Sequence, residues 1–354
     1  MWKSEIFEQS DFYDMLNLIK ENYGDIEIAK EEFLRWQYEK NPAGSAVIQL
    51  AKDKERDILA GQYVIIPMKL KFQDKVVKGT LSLNTLTKSE YRGQGIFTKL
   101  ASDIFQYCSE NKLAFTYGFP NPNSYPGFIK KLSFQDLGSV PLLLRPLNLN
   151  KLVRSKTNKY ISSLIPNISY FMTTKKYNME KYVIYEINES NINDINQLWD
   201  DVKDKHEIIG VRDAEYIKWR YIDIPLRKYK IFAIKDEKKI LGYIIGNCKE
   251  VDGVNSGMIV DFLLNSNSSL VGDILVNTII EYFKTKDIDL IGSLMLGHTL
   301  EYKTLKNNKF YKCPKKFEPQ AFPVVYREHT KVGNNQFASK LENWFLTMGD
   351  YDVI

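Results

Sequence analysis

Apolar residues recur along the chain with two periods, and their alternation sets an expected order of elements. Phe12, Met15, Leu16, Ile19 and Tyr23 repeat at helical spacing and predict a helix over 9–23. Runs rich in Val, Ile, Leu and Thr predict strands over 46–51, 58–68 and 77–87. A second helical stripe runs from Ile96 to Cys108, and 114–119 reads as a further strand. A Pro/Asn-rich break, a short helix and a last strand entry at Phe134 close the series. The order β-β-β-α-β-α-β predicts an α/β (α+β) fold, a mixed sheet with helices on both faces.

The pattern then repeats. Phe33-Leu34-Arg35-Trp36-Gln37-Tyr38, ending at Pro42, matches Tyr216-Ile217-Lys218-Trp219-Arg220-Tyr221, ending at Pro225. Each copy leads into a strand, a charged hairpin turn (53–57 and 235–239) and an Ile-Leu start to the next strand. Self-similarity at long spacing marks duplicated units. Two copies of one unit are expected, and Trp36, Tyr38, Trp219 and Tyr221 are assigned to core and domain packing because both copies carry them. The expected partition is a first unit at 1–147, a basic connector at 148–180, a second unit at 181–326 and a tail at 327–354.

The turn between the third strand and its helix carries the chemistry. It reads Arg92-Gly93-Gln94-Gly95-Ile96-Phe97. Glycines there let backbone N–H groups turn toward an anion, and the helix N-terminus adds partial positive charge. It is not a P-loop, because no Gly-Lys-Ser/Thr follows. It is not a Rossmann fingerprint either, because the third glycine is missing.

Strand, Arg-x-x-Gly-x and amphipathic helix together resemble the acyl-coenzyme A loop of the GNAT superfamily of N-acetyltransferases, whose pattern is Gln/Arg-x-x-Gly-x-Gly/Ala. Four elements agree, and Phe97 replaces the last small residue. The resemblance implies two tandem GNAT-like mixed sheets flanked by helices. It also implies acetyl-CoA, or another acyl-CoA, as cofactor. The second copy lacks the arginine and the paired glycines over 265–274, so only the first unit is expected to hold it.

The same resemblance assigns roles. The N–H groups of Gln94, Gly95 and Ile96, with Arg92 and Gly93, would hold the pyrophosphate. The main chain of Leu86 and Thr87 would pair with pantetheine in the gap where the next strand diverges. The family's closing Tyr-x-x-x-Gly-Phe is Ile129 to Phe134 here, with Ile129 for the tyrosine and Ser133 for the glycine. Tyr125, one helical turn earlier, is therefore the expected general acid. Asn121 and Asn123 are expected to contact cofactor or substrate. The strand before the loop has no carboxylate for a base, so Asn84 and Ser82 are expected to order a water. Glu32, Asp350 and Asp352 are further candidates through the fold.

Composition narrows the rest. With 354 residues, 44% hydrophobic and 26% charged, the chain is long enough for two domains. A net charge of +5 suits an anionic cofactor and falls short of a nucleic-acid stripe. Three scattered cysteines and three isolated histidines show no metal spacing, so no metal is expected and a reducing, cytoplasmic setting is. No apolar run reaches signal-peptide or membrane-span length. The connector carries eight Lys/Arg against Glu180 over 145–181; packing between domains is its expected role, and peripheral contact with an anionic membrane is the alternative. The reading that results is an acyl-CoA-dependent N-acyltransferase acting on a small primary amine, an amino sugar of surface-polysaccharide synthesis being one such acceptor. The alternatives are a non-catalytic acyl-CoA-binding scaffold and an aminoacyl-tRNA-dependent transferase on paired GNAT-like folds.

Overall fold

The computed structural model describes residues 1–148, 177, 180–237, 239–265, 268–331 and 335–351. Most of the basic connector, and Asp352 of the tail, lie outside these.

The first sheet is built from β1 (Lys3–Ile6), β2 (Val47–Asp53), β3 (Ile58–Phe72), β4 (Lys75–Thr87), β5 (Phe115–Gly118) and β6 (Gln135–Ser139). Alternation along β3 divides its side chains between two layers. Tyr63 and Ile65 face α3 (Ile96–Glu110), which presents Leu100, Ile104 and Phe105. Val64 and Ile66 face α1 (Phe12–Tyr23) and α2 (Glu31–Glu39), which present Met15, Ile19 and Phe33. A short helix, α4 (Tyr125–Leu132), packs beside α3. Its last turn ends at Ser133 with φ of 57°, a left-handed position that favours glycine.

The second unit repeats this plan. It has β8 (Tyr182–Glu186), α5 (Asp194–Val202), β9 (Ile208–Gly210), α6 (Ala214–Ile217), β10 (Tyr229–Asp236), β11 (Lys239–Val251) and β12 (Val254–Leu264). There follow α7 (Ser269–Thr285), β13 (Leu290–Leu294), α8 (Leu300–Asn307) and β14 (Tyr311–Lys312). In each sheet the strands that flank the long helix pair in parallel, β4 with β5 and β12 with β13.

The units exchange a strand. β7 (Leu142–Pro146) leaves the first unit and pairs with β13 and β14 in the second sheet. β15 (Pro323–Glu328) returns and inserts between β5 and β6 in the first. A cut at 147 or at 326 would therefore strip each sheet of a strand, so the expected partition describes the repeat in sequence and not two separable bodies. The tail continues past β15 to β16 (Trp344–Phe345), which pairs with β9, itself paired with the end of β3.

The repeated motif lies where the two units meet. Trp36 and Trp219 stack with centroids 5.0 Å apart and planes 20° from parallel. Each indole N–H donates to the other's carbonyl, at 2.9 and 3.2 Å. One hydrophobic core runs through this contact from α1 and α2 to α5 and α6. Among the described residues, no helix is long and apolar enough to cross a membrane, and no group of His, Cys, Asp and Glu is placed to hold a metal.

Candidate active site

β4 and β5 pair only as far as Ser82 opposite Gly118. Beyond that point β4 stays on β3, up to Thr87 opposite Gly61, while β5 ends and the chain turns off through Phe119 and Pro120. This divergence opens a gap in the sheet edge. β4 also bulges there: Tyr63 alone faces the two residues Asn84 and Thr85 between the pairs Gln62–Leu86 and Val64–Leu83. Asn84 takes φ of 46°, a left-handed conformation that asparagine tolerates better than most residues.

The bulge is held from two sides. Gln62 Nε2 donates to the Asn84 carbonyl at 2.8 Å. The Asn84 amide donates to Tyr38 Oη at 2.7 Å and Gln37 Oε1 at 3.2 Å, both on α2. Asn84 is thus fixed with its own Oδ1 unspent in these bonds. Ser82 donates to Tyr63 Oη at 3.1 Å. Thr85 Oγ1 is buried without a hydrogen-bond partner.

The loop closes the upper end of the gap. Buried Tyr91 donates to Asp53 Oδ2 on β2 at 3.0 Å and anchors its start. Gly93 and Gly95 adopt φ of 81° and 80°, which side chains bearing a Cβ adopt only with strain. At Gly93 a Cβ would meet nothing within 4 Å, so it is the backbone conformation, not space, that calls for glycine. None of the turn hydrogen bonds uses the N–H of Gly93, Gln94 or Gly95, and the first N–H groups of α3 have no intrahelical acceptor. Arg92 is exposed beside them and forms no ion pair among the described residues. The residues present therefore fit a pyrophosphate. Phe97, the departure from the family pattern, points away from the loop. It packs on Phe128 of α4, where a Cβ at Gly127 would stand 2.9 Å from its ring.

The sequence-predicted residues divide into those at the gap and those beside it. Thr87 fits its expected role better than Leu86. The Lys88 N–H donates to the Ala60 carbonyl, so alternation turns the Leu86 main chain to β3 and that of Thr87 to the gap. Asn121 lines the gap's mouth, but its Oδ1 accepts the N–H groups of Asn123 and Ser124 and serves the turn into α4. Asn123 is exposed and lines nothing. Tyr125 is turned aside: its hydroxyl donates to Asp136 Oδ2 at 2.6 Å, and that bond, with burial second, raises its pKa. Of the acids proposed for the base, Glu32 is exposed on α2 outside the gap, and Asp350 is buried against Arg212 at 2.7 Å.

Sequence reasoning missed the space the gap opens into. A chamber of about 710 Å³ lies between the gap and the second sheet. Ser82, Asn84, Thr85 and Phe119 form its first wall. The opposite wall is the second sheet, with Leu144, Asn247, Met258 and Leu290. The tail closes one side: Tyr351 stacks on Phe119 at 3.7 Å and donates to the Phe322 carbonyl at 2.9 Å. These residues come from segments far apart in the chain, and no local pattern links them.

The geometry has known counterparts. Residues 6–135, 130 of the 354, match the family of acetyltransferase (GNAT) domains. The match covers just over a third of the chain and falls on the first unit. No curated protein matches the sequence. Solved structures match the fold of nearly the whole chain at low identity. A GCN5-related N-acetyltransferase from Anabaena variabilis is 14% identical, with TM-score 0.66 over 93% of this chain and 73% of that one. N-myristoyltransferase of Saccharomyces cerevisiae, solved with bound myristoyl-CoA, is 13% identical, with TM-score 0.64 over 94% of this chain and 83% of that one. A conserved protein of Enterococcus faecalis described as a probable N-acyltransferase is 11% identical, with TM-score 0.64 over 93% and 72%.

Proposed function

We propose that the first unit binds an acyl-CoA across the glycine turn and the gap, and passes the acyl group to a primary amine that enters from the chamber. The observation that carries this is one of placement. Two left-handed glycines at a helix N-terminus stand directly above the point where β4 and β5 part. Arg92 and the N–H groups of Gly93 to Ile96 hold the pyrophosphate. The main chain of Thr87 faces the gap and would offer its N–H to the acyl carbonyl, where such a donor is typically worth ~2.7–4 kcal/mol. Bound acyl-CoA supplies an activated carbonyl, which ends on the amine as an amide while sulfur leaves as the thiol. Asn84, fixed by Gln37 and Tyr38, orders the amine or a water that takes its proton. Tyr125 protonates the leaving sulfur only by giving up Asp136.

The acyl group is acetyl or longer, since the chamber has room for either. Its mostly apolar walls favour an acceptor with an apolar body over the amino sugar. The test is a thermal shift of the full chain with acetyl-CoA, a longer acyl-CoA, CoA and a nucleotide control, followed by thiol release over a panel of amines. Protection by an acyl-CoA with amine-dependent thiol release is expected. Protection without release from any amine would favour the non-catalytic binding role, and no protection would overturn the proposal.

A further inference from the structure

A second cavity lies on the α3 side of the first sheet and shares no residue with the chamber. It is a groove of about 450 Å³ between α3, the C-terminal end of α4 and the end of β15. Its α3 wall runs from Thr98 to Ser109, about 16 Å of helix leading away from the glycine turn, and none of Arg92 to Gly95 lines it. Arg327 reaches the groove from β15, half-buried, with its guanidinium carbon 4.7 Å from the centre of the Phe105 ring. Its Nη1 donates to the Leu132 carbonyl at 2.6 Å and its Nε is buried, which leaves Nη2 unbonded and accessible. Lys131, exposed on the last turn of α4, lines the same groove. No ion pair among the described residues takes up either cation. Burial holds the Arg327 pKa below its ordinary value, with no carboxylate near enough to offset it. Among the lining residues the acid is Glu328, which strand alternation assigns to the opposite face with Tyr326, whose pKa is raised by burial first and by Glu328 second. His329 completes the wall, its ring centre 5.2 Å from that of Phe105 and its Nε2 2.7 Å from Thr116 Oγ1.

We propose that this groove is a second anion site, separate from the glycine turn, and that it binds a small phosphomonoester through Arg327 and Lys131. A half-buried guanidinium without a carboxylate lacks a counter-charge, and its fork matches the oxygens of a phosphate. Two cations from neighbouring elements suit a dianion better than a single carboxylate. The exposed Ser102 and Ser133 add hydroxyl donors at the rim. A bare phosphate fills only a small part of the groove, so the organic body of the ligand has room along α3. The assignment goes beyond acyl transfer and does not depend on it.

The chain's histidines make the test local, because His329 lines the groove while His206 and His298 do not. Their ring signals are followed by NMR in the isotope-labelled full chain as inorganic phosphate, and separately phenyl phosphate, is added at fixed pH and ionic strength, with chloride as control. A saturable shift of His329, with His206 and His298 unmoved, is expected. Arg327→Gln should abolish it. Lys131→Ala, an exposed change outside the Arg327–Leu132 bond, should weaken binding roughly tenfold and keeps the test open if Arg327→Gln does not fold. A titration that never saturates, or Lys131→Ala binding as tightly as the parent, overturns the site. The titration is then repeated with acetyl-CoA in excess. An undiminished shift is expected. A shift lost under acetyl-CoA makes the groove the seat of the cofactor's own ribose phosphate and overturns a separate site, while supporting the cofactor reading.

Discussion

The two units share a fold, and they differ most at the place where their sheets part. In the first, the gap beyond Ser82 and Gly118 is open, with glycines above it. In the second, the equivalent gap beyond Ile259 and Ser293 is filled by the chain's own tail. Thr347 bridges Met295 there, and Gly349 sits so close that a Cβ would stand 3.1 Å from the Val260 carbonyl. Counting back from Thr87 opposite Gly61 and from Leu264 opposite Gly242, Asp261 falls where Asn84 falls. Tyr221 contacts Asp261 as Tyr38 contacts Asn84. Asp261 joins Arg212 at 3.1 Å, and Arg212 joins Asp350 of the tail at 2.7 Å. The two units thus share the strand and its helix partner and differ in charge at the bulge: neutral Asn84 lines an open gap, while Asp261 ties in the tail through Arg212.

Removing Arg212 should break that anchor with the largest effect. Arg212→Ala leaves Asp261 and Asp350 buried and uncompensated, which typically costs 3–5 kcal/mol. Urea unfolding checks it, and a loss below about 1 kcal/mol, the scale of a surface pair, would show that the ion pairs do not hold the tail. Glu301 comes next. It stands at the start of α8, takes the Leu264 N–H on Oε1 at 3.0 Å, and leaves Oε2 buried and unpaired. Burial holds its pKa up to about 7, from 4.5. The folded state therefore keeps a proton that the unfolded chain has lost, and stability falls as pH rises from 4.5 to about 7. Glu301→Gln removes this cost, so it should gain on the order of 3 kcal/mol above pH 7 and little below pH 4.5. A gain independent of pH would locate the cost elsewhere.

The open gap is probed by Gly95→Glu, which strains a left-handed backbone and sets a carboxylate at the anion site. At ligand near 100 Kd the parent should gain ~2.7 kcal/mol from acyl-CoA, and the variant should gain none of it. Retained protection would move the cofactor away from this turn.

How much of this was legible depended on whether the signal was local. The helix of the loop, its glycines and the strand before it show in periodicity and turn chemistry, and the repeat announced the stacked tryptophans through their shared spacing. Strand exchange left no trace, because the alternation of Leu142 to Pro146 reads the same whichever sheet receives it. The chamber was invisible for a related reason: Thr85, Asn247 and Tyr351 meet only after both sheets have formed. Phe97 stands out in sequence only as a departure from the loop pattern, and its ring packs on Phe128 and over Gly127, about thirty positions on. The tail's acids were noticed as candidates for catalysis, whereas Arg212, which binds Asp350, gave no local sign of where it would point.

The smallest expected effect concerns Tyr125, and it decides how far the family's catalytic plan applies here. Its hydroxyl lies 2.6 Å from Asp136 and does not line the chamber. If that bond is its main duty, Tyr125→Phe and Asp136→Asn should each lose about 1 kcal/mol of stability, and the double variant little more, because both remove one interaction. The kcat should then fall by no more than a few-fold. If Tyr125 instead protonates the leaving thiolate, Tyr125→Phe should lower kcat by ~10²-fold or more, while Asp136→Asn frees the hydroxyl and leaves kcat equal or higher. The opposite responses of kcat in the two single variants separate a structural tyrosine from a proton donor, even where their stabilities agree.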